Sequence, residues 1–272
     1  MNDPAPLATA PTPTQAADKV RDYLREVHGT LENAGFMLEL LKPLSSPAVV
    51  EPLNRTHAAN ALNALQWGLY CLAAMDLCKV LDSNPKSVTL VQVVSLLRDA
   101  PVVQELRSRA VTPPSRSSSI RHVPPEVEAD IQDMLRDEHL REVGDRFDKA
   151  VNDGLAEFDA LLANEAVQRL RAARNKIIAH GDAHWDSEAN VYRTAGPEQF
   201  KLLWGDPETA ITAAAKLTEM WLEGLCCEGH SAAETRAIFA EYSEEFWDHL
   251  MEGLRLTQGP RSQDGDSEHT EP

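Results

Sequence analysis

No stretch of the 272-residue chain stays apolar long enough to span a bilayer. The opening residues, MNDPAPLATAPTPTQAA, carry neither a basic patch nor an apolar run, so no secretory signal is expected and a cytoplasmic location follows. Cysteine is scarce. Cys71 and Cys78 lie seven apart, two turns along one helix, and read as small buried apolar residues. Cys226 and Cys227 are adjacent and point in different directions. None of the four has zinc-ligand spacing. A glycine-rich phosphate loop, an internal repeat and β-alternation of any length are all missing.

Positive charge is the most telling shortage. The chain has 26 Lys and Arg against 43 Asp and Glu, a net charge of −17. A protein that grips nucleic acid broadly does so through a basic surface and counterion release, which this balance excludes. Any RNA contact is therefore local or made by a partner. The acidity suits solubility and a basic partner.

What is present is helical periodicity. Hydrophobic residues make up 43% of the chain. The fold class expected is all-α, a multi-helix bundle with disordered termini. Residues 1–15, rich in Pro, Ala and Thr, form a disordered tail; 16–256 form a single domain with its core at about 55–225; 257–272 form a disordered acidic tail. The first helix is expected from about Ala16 to Lys42, stopping at Pro43, with a loop after it. The next, from about Asn54 to Leu81, is apolar nearly all round and reads as central and buried. Short helices follow at Thr89–Asp99 and Pro101–Arg109. A linker at 111–124 holds Arg116, Arg121 and His122, either a solvated loop or an arm that reaches phosphate. A helix from Pro125 to about Leu162, breakable at Gly144, leads to Asn164, which caps the next one. After a connection over Asp182–Gly205, helices run to about Cys227 and about Leu256.

The helix after Asn164 carries the stretch RNKIIAHGD, Arg174 to Asp182. Val167, Leu170, Ile177, Ile178 and Gly181 share one stripe, and Arg174 falls within roughly 60° of each of them at about 100° per residue. An arginine is almost never fully buried without a partner. A carboxylate or an anion therefore meets it, or the stripe faces a wet groove. Asp76 is the candidate carboxylate, on the Leu62–Leu65–Leu69–Leu72 stripe; alternatively Asp76 pairs with Lys79. Gly181 fits the C′ position, which makes His180 a helix-end residue. His180, Asp182 and His184 alternate as metal ligands can, but a helix ending at Gly181 gives them no fixed geometry, so neither metal nor cofactor is expected.

Arg174, Asn175 and, after four intervening residues, His180 resemble the signature of the HEPN superfamily, and RNKIIAHGD resembles its AbiU-like, abortive-infection branch. LAAMDLCKVLDSNPKSVTLVQVVSLL, residues 72–97, resembles the same branch. The resemblance implies a small α-helical bundle that dimerises through its motif helices, and in catalytic members a metal-independent ribonuclease leaving a 2′,3′-cyclic phosphate. It implies that His180 is a general acid or base, that Arg174 stabilises the crowded phosphate and that Asn175 orients the site, with Lys176, Asp182 and Asp76 in support. It also implies a toxin or phage-defence setting, in which an antitoxin or other protein partner is possible. Other members bind nucleotides or keep the fold without activity, so a non-catalytic module holding a nucleotide or a protein is the alternative.

The spacing has a geometric consequence of its own. Residues six apart on one helix point about 120° apart, with Cα atoms about 9 Å from each other. Two antiparallel copies would place Arg174 of one beside His180 of the other, so a homodimer is expected. At a helix C-terminus the macrodipole favours imidazolium, which suits His180 as an acid near neutral pH.

Overall fold

The computed structural model describes residues 11–53, 58–112, 125–174, 183–186, 191–194, 202–229 and 231–257. The tails expected to be disordered, and the Arg116–His122 island, lie outside these residues, apart from 11–15 and Thr257. Thr12 starts the fold. Its side chain accepts the Gln15 N–H, and the Gln15 side chain accepts the Thr12 N–H at 3.0 Å. This reciprocal cap lets α1 (Pro13–Leu44) begin three residues before the expected Ala16, because Pro13 sits at the first position, where a missing N–H costs nothing.

The 32-residue α1 is the axis of the bundle, packing against α3 (Ala58–Val80), α4 (Leu90–Leu97), α5 (Ala100–Ala110), α8 (Asp206–Cys226) and α9 (Ala232–Thr257). Val20, Leu24, Leu31, Ala34 and Leu38 form its buried stripe. Pro43 does not stop the helix as expected; it lies inside the last turn. Lacking an N–H, it leaves the Glu39 carbonyl free. The buried Ser243 hydroxyl of α9 donates to that carbonyl at 2.8 Å, and the Trp247 indole N–H donates to Leu40 O at 3.1 Å. The carbonyl freed by one proline, with its neighbour at Leu40, thus docks the last helix.

Other boundaries differ in informative ways. The loop expected after Pro43 contains α2 (Pro47–Leu53), with Pro47 at its first position. Thr89 caps α4 through the Gln92 N–H, as expected. In α6 (Pro125–Ala163), a continuous helix of 39 residues, Gly144 makes no break. Its lack of a side chain makes room instead: a Cβ there would lie 2.8 Å from the Arg107 guanidinium, which is held by Asp148. The α6–α8 crossing is tighter still. A Cβ on Gly154 would collide with the Trp221 indole, whose N–H donates to Ala150 O at 3.1 Å, and one on Gly224 would collide with Ala150.

The α7 helix (Glu165–Ala173) follows, capped by Asn164, which accepts the Ala166 N–H at 2.8 Å. Between α7 and α8 lies an antiparallel pair that the sequence did not announce, β1 (Ala183–Asp186) and β2 (Val191–Thr194), in register Ala183–Thr194 to Asp186–Val191. Four residues per strand are too few to register as alternation. The fold is otherwise all-α, its elements joined by one hydrophobic core that runs from Ala16 to Trp247. No described helix is long and apolar enough to cross a membrane.

The α6–α8 crossing sets a test. Gly154→Ala gains up to about 1 kcal/mol of helix propensity but overpacks the indole at a cost of about 1–3 kcal/mol. Urea unfolding is expected to show net destabilisation. Gly29→Ala, with nothing within 4 Å of the added methyl, is expected to stabilise. Equal effects would mean that the crossing has slack.

Candidate functional site

The site begins with what holds α7. Arg169 reaches across to Asp206, at the start of α8, with two parallel bonds: Nε to Oδ2 at 2.9 Å and Nη2 to Oδ1 at 2.7 Å. Asp206 is only 3% exposed, and its Oδ2 also accepts the Leu203 N–H at 2.9 Å. The sequence marks Asp206 as the cap of α8, but Gly205 takes that place, and the carboxylate faces sideways to the arginine. The Asp206 hydrogen bond and charge raise the Arg169 pKa further above its ordinary value. Tyr70 of α3 joins this corner. Its hydroxyl donates to Leu203 O at 3.2 Å, and its ring packs between Trp67 and Trp204. Burial pushes the Tyr70 hydroxyl above its usual pKa, so it stays a donor.

Arg174 then projects from the C-cap of α7. Val167 and Leu170 on its stripe are fully buried, as the periodicity requires. Its expected carboxylate, Asp76, is not its partner. Asp76 accepts from Asn33 of α1 at 2.6 Å, not from Lys79 either. Arg174 instead places Nη2 3.4 Å from Oδ2 of Asp82, just past the end of α3. The physical reason is reach: Arg174, at the end of α7, arrives just past the end of α3, six residues beyond Asp76. Asp82 itself is shaped by an Asx turn, its Oδ1 accepting the Asn84 N–H at 3.2 Å. The Asp82-Ser83-Asn84-Pro85 stretch thus ends a helix and also supplies the carboxylate that sequence reasoning missed.

The contact is long and off-centre. Arg174 keeps 30% of its side-chain surface, while its Nε is buried without a hydrogen-bond partner. Cys78 on α3 is close enough to feel its charge. Burial pushes that thiol up to about 11, against a smaller opposing pull from Arg174 and Arg171, so no thiolate forms at neutral pH. Asn175, Lys176, His180 and Asp182 lie outside the described residues, as does the expected helix end at Gly181. Among the described residues, no three His, Cys, Asp or Glu side chains gather as a metal site.

The α3 helix departs from its expected burial on every side. Along one stripe spaced 4-3-4-3, Ala61, Leu65 and Leu72 are exposed and Gly68 and Met75 are half-buried. The opposite face, with Leu69, Ala73 and Leu77, fills the core.

The all-α bundle carries an arginine at the end of the short α7, and Arg174, Asn175 and His180 are the pattern that resembles the HEPN signature. Residues 14–222 match the family model HEPN_AbiU2, described as AbiU2, and the chain belongs to that family. No curated protein matches the chain, and no solved structure does.

The corner predicts an order of sensitivity. Asp206→Ala strands a buried N–H and a guanidinium, so the unfolding midpoint in a thermal melt is expected to fall by several degrees. Arg174→Ala removes a long, half-exposed contact and is expected to shift it by no more than about 2 °C. The reverse order would make Arg174 the structural residue. Thiol labelling at pH 8 gives a second check: exposed Cys227 reacts first, while Cys71, Cys78 and Cys226, each pushed up to about 11 by burial, lag.

Proposed function

We propose that the chain is a dimeric, metal-independent endoribonuclease of the abortive-infection, phage-defence type. The observation that carries this reading is the state of Arg174, which lies within the family match: a partly exposed guanidinium that, among the described residues, has one long ion pair, and whose buried Nε has no hydrogen-bond partner. An arginine sealed by a carboxylate would have no capacity left for phosphate. Here an RNA phosphate can take the guanidinium edge at Nη2 in place of Asp82.

In this mechanism the ribose 2′-hydroxyl attacks the adjacent phosphorus and the 5′-oxygen leaves, giving 2′,3′-cyclic phosphate and 5′-hydroxyl ends. His180 moves the proton, taking it from the 2′-hydroxyl or giving it to the leaving oxygen. Arg174 stabilises the charge on the crowded phosphate. Asn175 orients the groups, and Lys176 and Asp182 support them. The dimer brings Arg174 of one copy to His180 of the other. The outward 4-3 stripe of α3 supports that dimer, since α3 is the helix to which Arg174 is tied through Asp82. RNA contact stays local, as the net charge of −17 requires. That same charge favours a second reading, a non-catalytic module that holds a nucleotide or a protein.

The test is RNA cleavage in EDTA by wild type beside Arg174→Ala and His180→Ala. Cyclic-phosphate ends are expected from wild type, with each variant about 10²–10⁴-fold slower. Loss of cleavage in EDTA, or full activity in both variants, would overturn the mechanism. Light scattering should give a dimer; a monomer that still cleaves would leave the composite site without support.

A further inference from the structure

The α9 helix lies wholly beyond residue 222, where the family match ends. Its inner face is accounted for. Ser243 and Trp247 bond to α1, Thr235 donates to Glu32 at 3.1 Å, and Phe239 packs on Phe36 with centroids 5.0 Å apart. Its outer face is not. Ile238, Tyr242, Phe246 and Leu250, each four residues after the last, are 46%, 57%, 52% and 42% exposed. Residues at i and i+4 stack one above the next on a helix, so these four make a single row about three turns long. Scattered exposed apolar residues are ordinary, but a contiguous row of two aromatics and two aliphatics is not.

A second exposed row follows the first around α9: Glu241, Glu245, Asp248 and Glu252, spaced 4-3-4. Its one described ion pair is within α9, with His249 at 3.8 Å from Glu245. The apolar row therefore has a carboxylate edge along its length. That edge decides what can sit there. A second copy of this chain would bring its own acidic row and a net −17 to the contact, and an anionic lipid surface or RNA would meet the same repulsion. The segment that follows α9, QGPRSQDGDSEHTEP, contains no large apolar residue with which to fill the row.

We propose that the outer face of α9 is a docking site for a basic amphipathic helix of a partner protein. The partner's apolar row lies along Ile238, Tyr242, Phe246 and Leu250, and its Lys or Arg residues meet Glu241, Glu245, Asp248 and Glu252. This is helix-in-groove recognition with charge setting the orientation and the choice of partner. It is independent of Arg174, and it assigns a binding role to a part of the chain that the family match leaves out.

The test uses a fluorescein-labelled synthetic 18-residue peptide of Leu and Lys at helical spacing, titrated with the full chain and read by anisotropy. Controls are the same composition scrambled and a Leu/Glu peptide of identical pattern. Micromolar binding of the Leu/Lys helix is expected, weakening as salt rises. Tyr242→Ser/Phe246→Ser and, separately, Glu241→Lys/Glu245→Lys should each weaken it at least tenfold, while Glu138→Lys/Glu142→Lys on the exposed face of α6 should not. All these positions are exposed, so unchanged thermal melts are expected and separate lost binding from lost fold. Undiminished binding in both α9 variants, or equal binding of the scrambled or Leu/Glu peptide, would overturn the proposal. So would a wild-type dimer that Tyr242→Ser/Phe246→Ser converts to monomer, since the face would then belong to a second copy.

Discussion

Asp206 is the carboxylate on which the functional corner depends. It is almost without access to water, and a buried carboxylate is tolerable only if its oxygens are occupied by donors of fixed geometry. Arg169 supplies two bonds and the Leu203 N–H a third. Because Arg169 belongs to α7 and Asp206 to α8, satisfying this one charge sets how α7 lies on α8. Tyr70 extends the constraint to α3 by donating to the Leu203 carbonyl. Once three helices are tied at one corner, Arg174, a turn beyond Arg169, has little choice of position. It meets the end of α3 at Asp82, not its middle at Asp76.

Elsewhere the bundle is built by removing atoms in some places and freeing them in others. Gly154 and Gly224 let α6 and α8 approach until the Trp221 indole can reach a backbone carbonyl. Pro43, by lacking a donor, frees the Glu39 carbonyl that α9 needs for docking. Both devices bring helices together through backbone carbonyls, whose positions are fixed by the helix itself. Side-chain ion pairs at the surface, such as Arg98–Asp159, add little to this. The arrangement leaves two apolar strips outward, on α3 and on α9, with different surroundings: the first runs towards the corner that holds Arg174, the second beside a row of carboxylates.

Much of this was legible from residue types. The caps at Thr89 and Asn164, the prolines at helix starts and the 3.6-residue periodicity each act within a few residues, so they survive without knowledge of the fold. The family was legible because Arg174, Asn175 and His180 form a local pattern. Less was legible where two distant elements compete. A helix that is apolar all round reads as buried, yet α3 turns Leu65 and Leu72 outward, because composition cannot say how many neighbours a helix has. Nor could spacing choose between Asp76 and Asp82: both are acids near one end of α3, and only the crossing point of α7 distinguishes them.

By itself the sequence determined the helical class, the main helices to within a few residues, the acidic balance that limits nucleic-acid contact, and membership of the HEPN AbiU2 family. These are properties of composition and of local spacing, and a chain carries them before it folds. The tertiary structure decided which carboxylate Arg174 meets and how loosely, which face of α3 stays open, and how α9 docks through the carbonyl freed by Pro43. Each of those depends on the angle at which two helices cross. That angle is set by a few close contacts, a missing Cβ at Gly154 or a buried charge at Asp206, that lie far apart in sequence from the residues they position.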